Sequence, residues 1–82
     1  MKLLSIIIPV YNKEELVIRA IESIPERDDL EIIVIDDGST DKTYQNLLDY
    51  DREFVLVRLT KNKPVGFCRN LGLKRATGEY IC

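Results

Sequence analysis

Two adjacent carboxylates, Asp36 and Asp37, end the apolar run Ile32-Ile33-Val34-Ile35 and are followed by Gly38, Ser39, Thr40 and Asp41. A fixed carboxylate can accept a charge-assisted hydrogen bond from a ligand N–H, and the glycine beside it lets the backbone turn tightly against that ligand. Tyr11 stands just beyond a second apolar run and offers a flat face for a ring to lie on. Arg69, beside Asn70, offers a cation near the start of a helical pattern, where anions are bound. The chain has no histidine and two cysteines, Cys68 and Cys82, so neither a zinc site nor a Cys/His or Ser/His/Asp arrangement can be assembled from it. The cysteines read as buried free thiols in a reducing compartment rather than as a disulfide.

These groups need a scaffold, and the pattern of apolar residues supplies one. Ser5–Val10 reads as a strand whose ladder weakens at Pro9, which has no N–H to donate. Leu16, Val17, Ala20, Ile21 and Ile24 repeat with helical spacing, which predicts an amphipathic helix over about 13–24. Asn12 and Glu15 resemble a capping box, and Pro25 provides the stop. The second strand spans roughly Glu31–Ile35; it is apolar on both faces and too short for a helix, as in a parallel sheet covered by helices. Ser39, Thr40 or Asp41 can cap a helix whose inner stripe is Tyr44, Leu47 and Leu48. Phe54–Leu59 is a third strand, and Phe67, Cys68, Leu71, Gly72, Arg75 and Ala76 follow a helical period ended by Thr77-Gly78. Glu79–Cys82 begins a fourth strand.

The order β-α-β-α-β-α-β with right-handed crossovers predicts an α/β fold, an open parallel sheet with helices on both faces. Ligands of such sheets bind at the carboxyl ends of the strands, which is where the two aspartates fall. Eighty-two residues make one small domain, 45% hydrophobic and 32% charged. The longest apolar stretch, Ile6–Val10, is far below the ~20 residues of a membrane span, and no signal peptide is recognisable, so a cytoplasmic location is expected. The net charge of −2 conceals an asymmetry: residues 1–53 hold six Lys/Arg against thirteen Asp/Glu, and residues 54–82 hold six against one. The basic part could face phosphates or an anionic membrane surface, or could be solvated faces that happen to differ in sign.

Four ordered stretches, Ser5–Asn12, Ile33–Asp41, Val65–Gly72 and Ala76–Ile81, together resemble the family-two glycosyltransferases of GT-A fold. The resemblance covers essentially the whole chain. It implies a Rossmann-like nucleotide-binding half, 1–82, of an enzyme that moves a sugar from a nucleotide-diphosphate donor, commonly uridine diphosphate, with inversion. The acceptor would be a glycan or lipid-linked molecule, as in polysaccharide biosynthesis, with no nucleic acid involved. In such enzymes the stretch matching Pro9-Val10-Tyr11 lines the base and the second acid, here Asp37, hydrogen-bonds it. Gly38 lets the chain turn near the ligand, Arg69 meets the nucleotide or its phosphates, and Asp36 bonds loop N–H groups and holds Asp37 in place. Alternatively, Asp36 and Asp37 merely terminate the strand and cap the next helix, Tyr11 is a half-buried aromatic and Arg69 a surface ion pair. Asn12 and Ser39 read as caps, and Gly72 as a device for close helix–sheet packing.

The resemblance implies that the family's Mg²⁺ or Mn²⁺ is held by an Asp-x-Asp motif after strand four, expected a few residues past Cys82, and no such motif follows strand four here. No metal ligand and no catalytic residue is therefore assigned, and the 82 residues read as an amino-terminal part that is inactive alone. Such a part is expected to self-associate through an exposed sheet edge, and the parent to approach the inner membrane face. A phospho-acceptor receiver domain is a rival α/β reading, but its acidic pair should follow the first strand, which here ends in Pro-Val-Tyr-Asn. The remaining alternative is a non-catalytic nucleotide-binding or interaction module.

Overall fold

A computed structural model describes residues 2–61, 63–64, 66–78 and 80–81, the last two by their backbone alone. Four parallel strands, β1 (Leu4–Val10), β2 (Leu30–Asp36), β3 (Val55–Arg58) and β4 (Tyr80–Ile81), lie in the order β3-β2-β1-β4. Between them run α1 (Val17–Glu22), α2 (Thr43–Asp49) and α3 (Phe67–Arg75), so the expected alternation of strands and helices is present.

Strand β2 explains the two-sided cover. Its residues alternate between faces, and Ile32 and Val34 join Val17, Ile21 and Leu47 of α1 and α2 in one core. Ile33 and Ile35 join Cys68 and Leu71 of α3 in another. Ile33, Val34 and Ile35 are wholly buried, which is why the run carries no polar residue until Asp36. On the α3 face the helix lies so close that a Cβ on Gly72 would come within 2.4 Å of Ile7 Cγ2. The glycine is a packing device, as its sequence position suggested.

The helices depart from their sequence patterns in instructive ways. Helix α1 begins at Val17 rather than near residue 13, and Leu16 is exposed. Residues 12–14 are instead stitched to the loop after β2 and to the first half of α2. Asn12 Oδ1 accepts the Thr40 N–H at 2.8 Å, Lys13 N–H donates to Thr43 Oγ1 at 2.8 Å, and Asn46 Nδ2 donates to Glu14 O at 2.9 Å. Asn12 adopts φ 51°, a left-handed conformation that asparagine tolerates, and so does not cap α1. In α2, Leu47 is buried but Leu48 is exposed. The N-cap position falls on Lys42, which makes no side-chain cap, rather than on Ser39, Thr40 or Asp41; Asp41, one residue earlier, accepts the Thr43 N–H at 2.9 Å. Phe67 of α3 is likewise exposed. Cys68 is a free buried thiol, and Cys82 lies outside the described residues.

The chain proceeds from β1 outward through β2 to β3, then returns to the far side of β1 for β4. The strand order thus reverses beside β1, and its two helical connections leave on opposite faces. That reversal opens a crevice at the carboxyl ends of the strands.

Candidate functional site

A cleft of about 440 Å³ occupies that crevice, lined by Pro9, Val10, Tyr11, Asp37, Lys63, Pro64, Gly66, Cys68 and Arg69. Its walls are the last residues of β1, the turn after β2, the loop after β3 and the first turn of α3. Four of the five residues singled out from sequence, Pro9, Tyr11, Asp37 and Arg69, are brought together here. Gly38, the fifth, is not on the wall. It sits behind Asp37 at φ 77°, where a side chain would be strained, and turns the chain from β2 toward α2.

The two aspartates have different environments. Asp36 is wholly buried. Its Oδ1 accepts the Ser39 N–H at 3.1 Å, and its backbone carbonyl accepts the Leu59 N–H at 2.9 Å, so it belongs to the turn and the sheet. Asp37 anchors its own N–H on Val10 O at 2.8 Å, which ties the turn to the end of β1, and directs its carboxylate into the cleft. Asp37 Oδ1 accepts the Lys63 N–H at 2.9 Å, and the Cys68 thiol also donates to this carboxylate. Burial pushes the Cys68 thiol up to about 11, reinforced by the charge of Asp37, the hydrogen bond to it, and the charge of Asp36. Cys68 is therefore a neutral donor at physiological pH.

Tyr11 lines the cleft and is exposed. Arg69, on the same cleft, lies exposed in the first turn of α3, whose amino end carries positive partial charge. A planar ring, a hydrogen-bonding group and an anion each have a chemical complement among these side chains. Ser39 is not a ligand but a brace: its Oγ accepts the Asn12 N–H at 2.9 Å. Lys63 and Cys68 went unrecognised as site residues in the sequence. Lys63 reaches Asp37 through its backbone N–H, which any residue but proline carries, and a buried cysteine has the signature of ordinary core.

A second concavity, about 260 Å³, lies at the opposite, amino ends of β2 and β3 among Lys2, Glu26, Arg27, Asp28, Arg52 and Glu53. It holds charges of both signs on the side of the sheet away from the strand reversal. Among the described residues no three Asp, Glu, His or Cys side chains converge to hold a metal ion. No described helix is long and apolar enough to cross a membrane.

Comparison with known proteins matches the sequence to the glycosyl transferase family 2 profile over residues 5–82. An uncharacterised glycosyltransferase of Haemophilus influenzae is 41% identical, with 99% of this chain and 34% of that protein aligned. The Campylobacter jejuni GalNAc(5)-diNAcBac-PP-undecaprenol β-1,3-glucosyltransferase is 45% identical, over 95% of this chain and 27% of that enzyme. Among solved structures, a mannosyltransferase of Pyrobaculum calidifontis in complex with GDP-Man and Mn²⁺ superposes with a TM-score of 0.83 at 30% identity, covering 95% of this chain and 25% of its own. Staphylococcus aureus TarS 1–349 in complex with UDP-GlcNAc gives 0.79 at 33% identity, covering 99% and 25%. The chain thus spans about a third or less of these proteins' lengths. The parallel sheet and its flanking helices are those of GT-A glycosyltransferases, as the resemblance implied.

Proposed function

Because this chain belongs to glycosyl transferase family 2, a family of enzymes, we propose that it is the nucleotide-binding part of a transferase using a nucleotide-diphosphate sugar. The uridine diphosphate sugars are the proposed donors, and a glycan or lipid-linked molecule the proposed acceptor, with inversion at the transferred carbon. The observation that carries this reading is the convergence of Tyr11, Asp37 and Arg69 on one cleft at the strand reversal. In it Tyr11 covers the face of the base, Asp37 accepts the ring N–H, and Arg69 with the amino end of α3 faces the diphosphate. Pro9 closes the wall beside the base, and Gly38 holds Asp37 forward. TarS, solved with UDP-GlcNAc, supports the donor class, and the Campylobacter enzyme, named for transfer to an undecaprenol-linked glycan, supports the acceptor class.

These residues bind and orient the donor. A divalent metal, such as the Mn²⁺ beside GDP-Man in the Pyrobaculum enzyme, would neutralise the departing diphosphate, but no described residues form its site. The proposed location of the complete protein is the cytoplasm, at the membrane face where a lipid-linked acceptor would be met. The reading is tested by assaying the complete protein with UDP-glucose, UDP-N-acetylglucosamine and GDP-mannose and following nucleotide release. Release from a UDP-sugar that is lost in Asp37→Asn is expected. A preference for GDP-mannose, or release undisturbed by Asp37→Asn, would overturn the assignment.

A further inference from the structure

Asp36 buries a carboxylate completely, yet its Oδ2 has no hydrogen bond. An uncompensated buried charge is costly enough that such a group normally finds a counter-charge or gives up its ionisation. Among the described residues the cation paired with it is Arg58 of β3, whose Nε lies 3.8 Å from Oδ2, too far for a hydrogen bond but within reach of the charge. Arg58 is half-exposed and does not hang free: its guanidinium carbon sits 4.0 Å from the centroid of the Tyr44 ring. Tyr44 belongs to α2, the helix that follows the Asp37 turn. A cation over an aromatic face is held in place there rather than sampling solvent.

We propose that Arg58 is a positioning residue for nucleotide binding, acting through Asp36 on the turn that carries Asp37. This rests on the donor-site reading above. The chain of contacts is continuous. Tyr44 holds Arg58, and Arg58 supplies the counter-charge to Asp36 Oδ2. Asp36 Oδ1 then takes the Ser39 N–H at 3.1 Å, closing a turn around Gly38. That turn is pinned on its other side by Asp37 N–H to Val10 O at 2.8 Å. With the Arg58 charge removed, the buried carboxylate loses the counter-charge beside its Oδ2. Its hold on the Ser39 N–H then weakens, which lets the Asp37 carboxylate drift from its direction into the cleft. Arg58 itself does not line that cleft, so its effect is transmitted and not a contact with ligand.

The experiment is a double-mutant cycle on UDP binding by calorimetry, using the complete protein and the variants Arg58→Met, Asp36→Asn, the pair, Arg58→Lys and Asp37→Asn. Arg58→Met is expected to weaken UDP binding about tenfold or more, the scale of a lost charged interaction. Arg58→Lys should recover most of that loss, and in the Asp36→Asn background Arg58→Met should cost little further. A stability role alone would lower the melting temperature while leaving the dissociation constant of the folded fraction unchanged. That result, or a full additional loss in the Asp36→Asn background, would overturn the proposal. If Asp37→Asn binds UDP as the parent does, the donor-site reading itself falls. If Asp37→Asn loses binding while Arg58→Met retains it, the positioning role alone falls.

Discussion

At the scale of single residues, the cleft rests on an aspartate whose partners include two described donors that do not resemble site residues, the Lys63 N–H and the Cys68 thiol. Asp37, Tyr11, Pro9 and Arg69 were legible because each has distinctive side-chain chemistry within a recognisable stretch. The donors were not, since one is backbone and the other a small buried side chain. The thiol gives a direct test. With its titration moved from the ordinary 9.0 to about 11 by burial, Asp37 and Asp36, Cys68 should alkylate with iodoacetamide far more slowly than a free thiol at pH 8. The sign for stability follows: the folded value lies above the unfolded one, so the contribution is complete below pH 9 and is lost as pH rises toward 11. Mass spectrometry of the Cys68 peptide after timed labelling reads the rate, and alkylation at the free-thiol rate would contradict the buried, Asp37-bound geometry. Asp37→Asn should weaken UDP binding roughly ten- to a hundredfold, the cost of a charge-assisted bond of about 1.5–3 kcal/mol, as read by calorimetry.

At the scale of elements, the strands followed their sequence pattern more closely than the helices. Ile32–Ile35 could be nothing but a central strand, because four consecutive branched apolar residues satisfy both faces of a covered sheet. The start of α1 was hidden because Asn12, Lys13 and Glu14 spend their hydrogen bonds on residues about thirty positions away. No local capping pattern reports such a long-range partner. The end of α1 depends on another: Arg52 donates to the carbonyls of Ile21 and Ile24 at 2.8 Å and of Pro25 at 2.9 Å. Arg52→Met should cost about 1–3 kcal/mol in urea unfolding by leaving those carbonyls unpaired, and an unchanged midpoint would refute the cap. At the other end of the sheet, Glu31 Oε1 accepts from Ser5 Oγ at 2.8 Å and Thr77 N–H at 2.9 Å, and Gly78 N–H donates to Ser5 Oγ at 2.8 Å. This latch ties the segment after α3 to β1 and β2. Burial opposes the Glu31 charge, but the Thr77 and Ser5 hydrogen bonds and Lys2 outweigh it and hold the carboxyl below its ordinary 4.5. The latch should therefore be fully formed above that pH and loosen as pH falls through the lowered value. Glu31→Gln should remove this acid sensitivity from the melting profile between pH 3 and 5, at a neutral-pH cost on the order of 1 kcal/mol given its partial exposure.

At the scale of the whole molecule, the alternation of elements and the two-sided cover of β2 were legible in the sequence, while the position of the cleft required the strand order. The reversal beside β1 places the ends of β1 and β2 and the start of α3 around one opening, although Tyr11 and Arg69 are far apart in the chain. The opposite groove among Arg27, Asp28 and Glu53 is the competing location for a charged ligand. The decisive measurement is therefore a chemical-shift map of the isotopically labelled chain titrated with UDP. Donor binding in the cleft should perturb the amides of Tyr11, Asp37, Gly38, Lys63, Cys68 and Arg69 and leave Arg27, Asp28 and Glu53 unmoved. Shifts confined to Arg27, Asp28 and Glu53, or none at millimolar UDP, would contradict it.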